Sequence, residues 1–206
     1  MPAPFRPDTS ALVLIDHQVG TMQLIKTLDL ADVRRFALAL AKAAKVLNLP
    51  VVLTSSQEDR IQQRLMPEFE EILPEAYAAR VKRQGIVNAW EDPNFKAAIE
   101  ATGRKQLIMG GVTTDVCLIY PTISAVEDGY EVQAVLDISG SPFALSEETA
   151  RKRMELAGVQ FTATNTIIAE LAQDWASPHG QPLIQLLFSD VLPEVHKVSD
   201  PRAATA

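Results

Sequence analysis

The sequence is poor in the features that build disulfide scaffolds, polyanion-binding faces and membrane spans. It has a single cysteine, Cys117, in 206 residues. One cysteine cannot close an intrachain disulfide, and the usage suits a reducing compartment, so a cytoplasmic protein is expected. No apolar run approaches the roughly 18 residues needed to cross a bilayer, so no membrane association is expected. The opening Met1–Ser10 holds three prolines and one acid and lacks the apolar stretch of a secretory signal. Lysine and arginine total 19 against 26 acidic residues, a formal net charge of -7. With no basic cluster to follow a phosphate backbone, nucleic acid is not an expected partner.

What is present describes a globular chain. Hydrophobic residues make up 47% and charged residues 22%, which excludes a disordered chain unable to offset its ordering entropy. There is no internal repeat or low-complexity block. The length suits one larger domain. The reading is a single domain over residues 1–206, with 176–206 a C-terminal extension used in packing or assembly.

Apolar, branched runs alternate with stretches of helical period. The continuous apolar run Ala11–Asp16 reads as a buried strand ending in an acid. Leu30, Val33, Ala37, Leu40, Ala44 and Leu47 recur at three- and four-residue spacing, so Asp29–Leu47 reads as an amphipathic helix. Val51–Ser55 is a second strand. Ser56–Ala76 is a long loop with a turn or two of helix, and Tyr77–Val81 a third strand. Asp92 and Pro93 open a helix that Gly103 ends. Gln106–Gly110 is strand four. Thr114–Asp128 is a helix that Pro121 should bend. Glu131–Ile138 is strand five. Ser146 caps a helix closed by Gly158, and Val159–Thr162 is strand six. Thr166–Trp175 and Pro182–Phe188 are terminal helices.

This alternation predicts an α/β, three-layer, doubly wound six-stranded parallel sheet with helices on both faces. In the commonest strand order, 3-2-1-4-5-6, the order reverses between strands one and four. Ligands bind beyond the carboxyl ends of the strands at such a point. That directs attention to Asp16-His17-Gln18 and to the run Gly110 to Cys117.

A lone cysteine in an apolar helix is ordinarily a small buried hydrophobe. Cys117, however, falls in the expected first turn of its helix, where unpaired N–H groups and the helix dipole favour a thiolate. Amides near Thr113 and Cys117 are candidate oxyanion donors. Asp115 opposes the thiolate unless it points away. Asp16 is a candidate general base, although a strand-end carboxylate is as often a loop anchor. His17 should face the opposite way from Asp16, and no strand-end motif places His179 or His196. A cation near thiol and carboxylate would stabilise both charges. Lys82 and Arg83 both follow strand three, and either alone is ordinarily a solvated loop residue.

Asp16 at a strand end, Lys82-Arg83 upstream of Asn88-Ala89-Trp90, and the specific run Gly111-Val112-Thr113-Thr114-Asp115-Val116-Cys117 resemble the isochorismatase-like cysteine hydrolases. The resemblance spans about Ser10 to Trp175. It implies a six-stranded parallel sheet, an Asp–Lys–Cys triad and a cis peptide at Val112–Thr113. It also implies attack of the cysteine on an amide-type carbonyl and an acyl-enzyme that water hydrolyses. The pattern Arg83 to Trp90 most resembles a bacterial subgroup of uncertain substrate that forms octamers. In that subgroup arginine can replace the triad lysine. Arg83 aligns there, with Lys82 its neighbour and alternative. Its role would be electrostatic, since arginine does not shuttle protons.

Nicotinamidases in this superfamily carry an Asp and two histidines as a metal site after strand two. Here Thr54 to Arg60 contains no histidine, so no metal and no cofactor are expected.

The reading is therefore a cytoplasmic hydrolase of a small-molecule substrate, acting on a non-peptide C–N bond and assembling as a homo-oligomer. Cys117 is the nucleophile, Asp16 the base and Arg83 the cation. Gln18, Glu58, Asn88, Trp90 and Thr113 are candidate pocket walls. Two rivals stand beside it: isochorismatase-type vinyl ether hydrolysis, which need not use the thiol, and a catalytically silent oligomer that binds a ligand. The apolar stretch Pro182–Leu192 is the expected assembly surface, with packing of part of it on its own domain the even alternative.

Overall fold

A computed structural model describes residues 4–194. Its centre is one parallel sheet of six strands: β1 (Ser10–Ile15), β2 (Val51–Ser56), β3 (Val81–Arg83), β4 (Gln106–Gly111), β5 (Glu131–Val135) and β6 (Gln160–Thr162). They lie side by side in the order β3-β2-β1-β4-β5-β6. Ile15 stands opposite Thr54 on one side and Gly111 on the other. The ends of β1, β2 and β4 thus sit together at the point where strand order reverses.

Among the described residues eight α-helices accompany the sheet: α1 (Leu30–Val46), α2 (Glu68–Ile72), α3 (Pro74–Ala78), α4 (Pro93–Ala101), α5 (Ile119–Glu127), α6 (Ala144–Leu156), α7 (Thr164–Ala172) and α8 (Gly180–Leu186). Every residue of β1 is buried, because both faces are covered. Leu12 and Leu14 pack with Val33, Leu40, Ile168 and Leu183 from α1, α7 and α8. Ala11, Val13 and Ile15 pack with Phe95, Ile119 and Met154 from α4, α5 and α6. Alternation along an extended strand produces these two cores, and the result is the expected three-layer α/β architecture. No helix among the described residues is long and apolar enough to cross a membrane.

Several boundaries differ from the sequence reading. Tyr77–Val81 is not strand three. Pro74 starts a short helix there, and β3 begins at Val81. Lys82 and Arg83 therefore lie within the strand, opposite Ser55 and Ser56, rather than after it. Strand five stops at Val135, and Leu136–Ile138 forms one 3-10 turn. Ser146 is not a cap: α6 starts at Ala144, and the Ser146 hydroxyl donates to Asp115 at 2.6 Å. The helix expected over Thr114–Asp128 is split. Thr114–Leu118 is a wide π turn in which the Leu118 N–H reaches the Thr113 carbonyl at 3.1 Å. Pro121 explains the split. It has no N–H for the carbonyl four residues back, that of Cys117, and its ring crowds that carbonyl.

In the C-terminal stretch the packing alternative is the one seen. Leu183, Leu187 and Val191 are buried against α1 and α7, so most of its apolar surface is spent within the chain. Phe188 stays exposed. Residues 195–206 of the expected extension, including His196, lie outside the described residues.

Candidate active site

Each part of the site comes from a strand end. Asp16 follows β1 with φ of 58°, a left-handed conformation that aspartate tolerates better than most residues. Its N–H donates to the Thr54 carbonyl at 3.0 Å, which ties the end of β1 to β2. Arg83 ends β3. Pleating separates it from Lys82: Lys82 is exposed and pairs with Glu58, whereas the Arg83 side chain is 1% exposed. Cys117 is half-buried in the π turn after β4. The Val112–Thr113 peptide just before that turn is cis.

Arg83 holds its position through all three of its nitrogens. Nε donates to Thr54 Oγ1 at 3.0 Å and one Nη to the Ile86 carbonyl at 2.6 Å. The other Nη donates to both carboxylate oxygens of Asp16. Thr54 Oγ1 in turn donates to the Val81 carbonyl at 2.8 Å. Asp16 also lies beside the Cys117 thiol, close enough for each to shift the other's proton affinity. The three groups form a chain, guanidinium to carboxylate to thiol.

Burial raises the Asp16 carboxyl from its ordinary value, while Arg83, by charge and hydrogen bond, and the thiol draw it back. Burial pushes the Cys117 thiol well above its usual range, and the Asp16 charge pushes the same way. Arg83 and the Thr113 amide oppose them. The resting sulfur is therefore a thiol, with a carboxylate beside it. It is not the pre-formed thiolate that a helix N-terminus suggested. The Cys117 N–H is not free for an oxyanion either, because it donates to the Thr113 carbonyl at 2.8 Å.

His17 is excluded from this chain. Its Nε2 donates to the Ile138 carbonyl at 2.9 Å, and burial lowers its imidazole to about 4, so it is neutral at physiological pH. Asp115 accepts from Ser146 and does not border the Cys117 cavity.

Asp16, Arg83 and Cys117 open onto a cavity of about 480 Å³. Gln18 and Thr113 line it as expected. The polar atoms of Gln18 are already engaged: its Nε2 donates to the Ser56 and Gln63 carbonyls, and its Oε1 accepts from the Ser56 N–H at 2.9 Å. A Cβ on Gly20 would fall 1.8 Å from the Ile61 carbonyl oxygen, so glycine lets the 20s loop and the 60s loop meet as one wall.

Glu58, Asn88 and Trp90 do not line the cavity. Glu58 faces the other side of the β2–β3 edge, where it pairs with Arg80 at 2.7 Å. The Asn88 side chain caps the turn Ala89–Glu91 through the Trp90 N–H. Trp90 is core, with its indole N–H donating to Asp128 at 2.8 Å. The sequence reading missed Thr54, which holds Arg83, and the walls formed by Thr21, Gln57, Ile61, Gln62, Gln63, Gly85, Ile86 and Val87. The polar end of an otherwise apolar strand, Thr54-Ser55-Ser56, was the available signal for Thr54.

No group of three or more His, Cys, Asp or Glu side chains gathers as a metal site among the described residues. Dialysis against a strong chelator is expected to leave hydrolysis unchanged. Stoichiometric zinc or iron by elemental analysis, with activity lost on removal, would reveal a ligand set elsewhere.

The isochorismatase domain model matches residues 10–166, more than half of the chain. The chain belongs to the isochorismatase family. Within the family it is 35% identical over 185 residues to the probable hydrolase YcaC of Escherichia coli K12, covering 90% of this chain and 87% of that protein. A structure of YcaC from Pseudomonas aeruginosa with hexane-2,5-diol and covalent acrylamide superposes with a TM-score of 0.87 at 35% identity, covering 93% of each chain. The E. coli YcaC crystal structure, described as an octameric hydrolase of unknown specificity, gives the same TM-score, identity and coverage.

Proposed function

We propose that this isochorismatase-family chain is a hydrolase that cleaves a small amide or related acyl substrate through an acyl-thioester on Cys117. The observation that carries the reading is that Asp16, held by Arg83, and Cys117 line one cavity, with the Asp16 charge acting on the sulfur. Asp16 takes the thiol proton as sulfur bonds to the substrate carbonyl carbon. The C–N bond then breaks, and the nitrogen leaves with the proton carried by Asp16. Water next attacks the thioester while Asp16 receives its proton. The acid departs and the thiol re-forms. Arg83 moves no proton. It keeps the buried carboxylate oriented and charged.

The YcaC of P. aeruginosa carries covalent acrylamide, and acrylamide is a Michael acceptor that thiols attack. That supports a reactive sulfur in this fold. Ammonia release from a panel of small amides, with intact mass recorded during turnover, tests the reading. The expected result is hydrolysis together with a transient acyl adduct on Cys117. Turnover without any adduct under slow-substrate conditions would overturn it.

A homo-oligomer is part of this proposal. E. coli YcaC is octameric, and Phe143, Leu145 and Leu156 are 69%, 75% and 76% exposed at and beside α6. Such large apolar side chains on one surface are ordinarily covered by a partner. Light scattering at micromolar concentration should give a mass several times that of the monomer, and a clean monomer would refute it.

A further inference from the structure

The cavity around Cys117 carries two ionic side chains, and they cancel. Of the residues that line it, only Asp16 and Arg83 are ionic, and they pair with each other. All three nitrogens of Arg83 already donate, to Thr54, the Ile86 carbonyl and Asp16. Lys82 and Arg80, on the same edge of the sheet, are held by Glu58 and do not line the cavity. A substrate carboxylate entering here would find no unspent cation and would face the Asp16 charge. Removing such an anion from water without a partner is strongly unfavourable.

The rest of the wall suits a different ligand. Leu24, Ile61, Val87 and Val116 give it an apolar part. Gln62 gives it a polar one: its Nε2 donates to Gln57 at 3.1 Å, while its Oε1 is buried with no partner among the described residues. The Thr21 hydroxyl is likewise buried and unpartnered. An amide oxygen can only accept, so Gln62 Oε1 calls for an N–H or O–H donor on the ligand and repels a carboxylate oxygen placed against it.

The geometry points to a substrate that is small, uncharged and partly apolar, and to rejection of substrates that bear a carboxylate. The inference rests on the reading of Cys117 as the nucleophile for its chemistry. Its charge selectivity belongs to the cavity.

Because Cys117 is the one thiol in the sequence, alkylation reports on this cavity alone. Wild type is labelled with neutral iodoacetamide and anionic iodoacetate at one pH, and the rate ratio is divided by that of 2-mercaptoethanol. The expected normalised ratio is about tenfold or more in favour of iodoacetamide. A ratio near one, or an inverted ratio, would overturn the inference. Val87 is 58% exposed, so Val87→Arg should fold and place a cation on the wall. It should reduce the ratio severalfold, and an unchanged ratio would show that wall charge is not the determinant. In turnover, butanamide should exceed the succinamate anion about tenfold or more in kcat/KM, and parity would count against the inference. Ammonia from neither amide, with the labelling ratio intact, would sink the thiol-hydrolase reading while leaving the charge selectivity standing.

Discussion

Cys117→Ala is expected to lower turnover by about 10⁴-fold or more and to leave the fold unchanged. The size follows from the role. A nucleophile that forms the covalent intermediate has no substitute, and groups that act as a unit fail together. The fold should survive because Cys117 is half-buried and borders a cavity, so the loss of one sulfur costs about 1 kcal/mol or less. Cys117→Ser should be nearly as dead, since a hydroxyl holds its proton far more tightly than a thiol and Asp16 is a weak base. Matched thermal melts and ammonia-release rates check both variants. Full activity in the alanine variant would remove the thiol mechanism and favour vinyl ether cleavage, which does not need sulfur.

Arg83→Ala should damage stability as well as chemistry. Asp16 and Arg83 are both buried, and removing one member of a buried ion pair typically costs about 3–5 kcal/mol, because the other charge is left without a partner. Arg83 also favours the Cys117 thiolate. Its loss should therefore move the pH curve of iodoacetamide labelling to higher pH, by about 1–3 units for a cation at close range. Asp16→Asn should move that curve the other way, because the carboxylate raises the thiol. Hydrolysis should nevertheless vanish in Asp16→Asn for want of a base. Lys82→Ala should change neither stability nor labelling, since Lys82 is exposed and pairs with Glu58. Arg83→Lys should retain the charge and part of the reactivity but lose the fork that serves three partners at once. Denaturant melts read the first effect, and labelling across a pH series reads the second. If the curve shifts with Lys82→Ala and not with Arg83→Ala, the cation has been placed one residue out.

Opposite effects from the two partners of one salt bridge are informative. A purely structural pair would lower stability on either substitution without moving the thiol in opposite directions. Arg83 and Asp16 are each tied to the sulfur electrostatically with contrary sign, and only the intact protein shows which influence prevails.

Local pattern carried the layer architecture. The unbroken apolar run over residues 11–15 demands cover on both faces, and the structure supplies it with two cores. The three- and four-residue spacing after Asp29 gives α1, and the Asp29 carboxylate accepts from the Ala31 and Asp32 amides. Strand order made Asp16 and the run to Cys117 the place to look, and β1 and β4 are neighbours. Pairing with β2 and β3 brings Arg83 to the same edge.

Local pattern failed where the chain has no period or where two signals compete. Pro121 and the apolar run around it read as one bent helix, but proline has no N–H to donate to the Cys117 carbonyl, and Thr114–Leu118 is a π turn. That turn commits the Cys117 amide to the Thr113 carbonyl, and burial with the Asp16 charge keeps the proton on the sulfur. Glu58, Asn88 and Trp90 are close in sequence to cavity residues and yet point elsewhere. The direction of a loop side chain is set by its partners, here Arg80, the Trp90 N–H and Asp128. Alone, the sequence determined the layers, the sheet and the strand ends, because burial periodicity and chain-reversing residues are local. Only the tertiary structure decided that Arg83 rather than Lys82 meets Asp16, that the thiol keeps its proton, and that the cavity holds no spare charge. Those depend on desolvation and on contacts between residues as far apart as 16, 83 and 117, which no local pattern encodes.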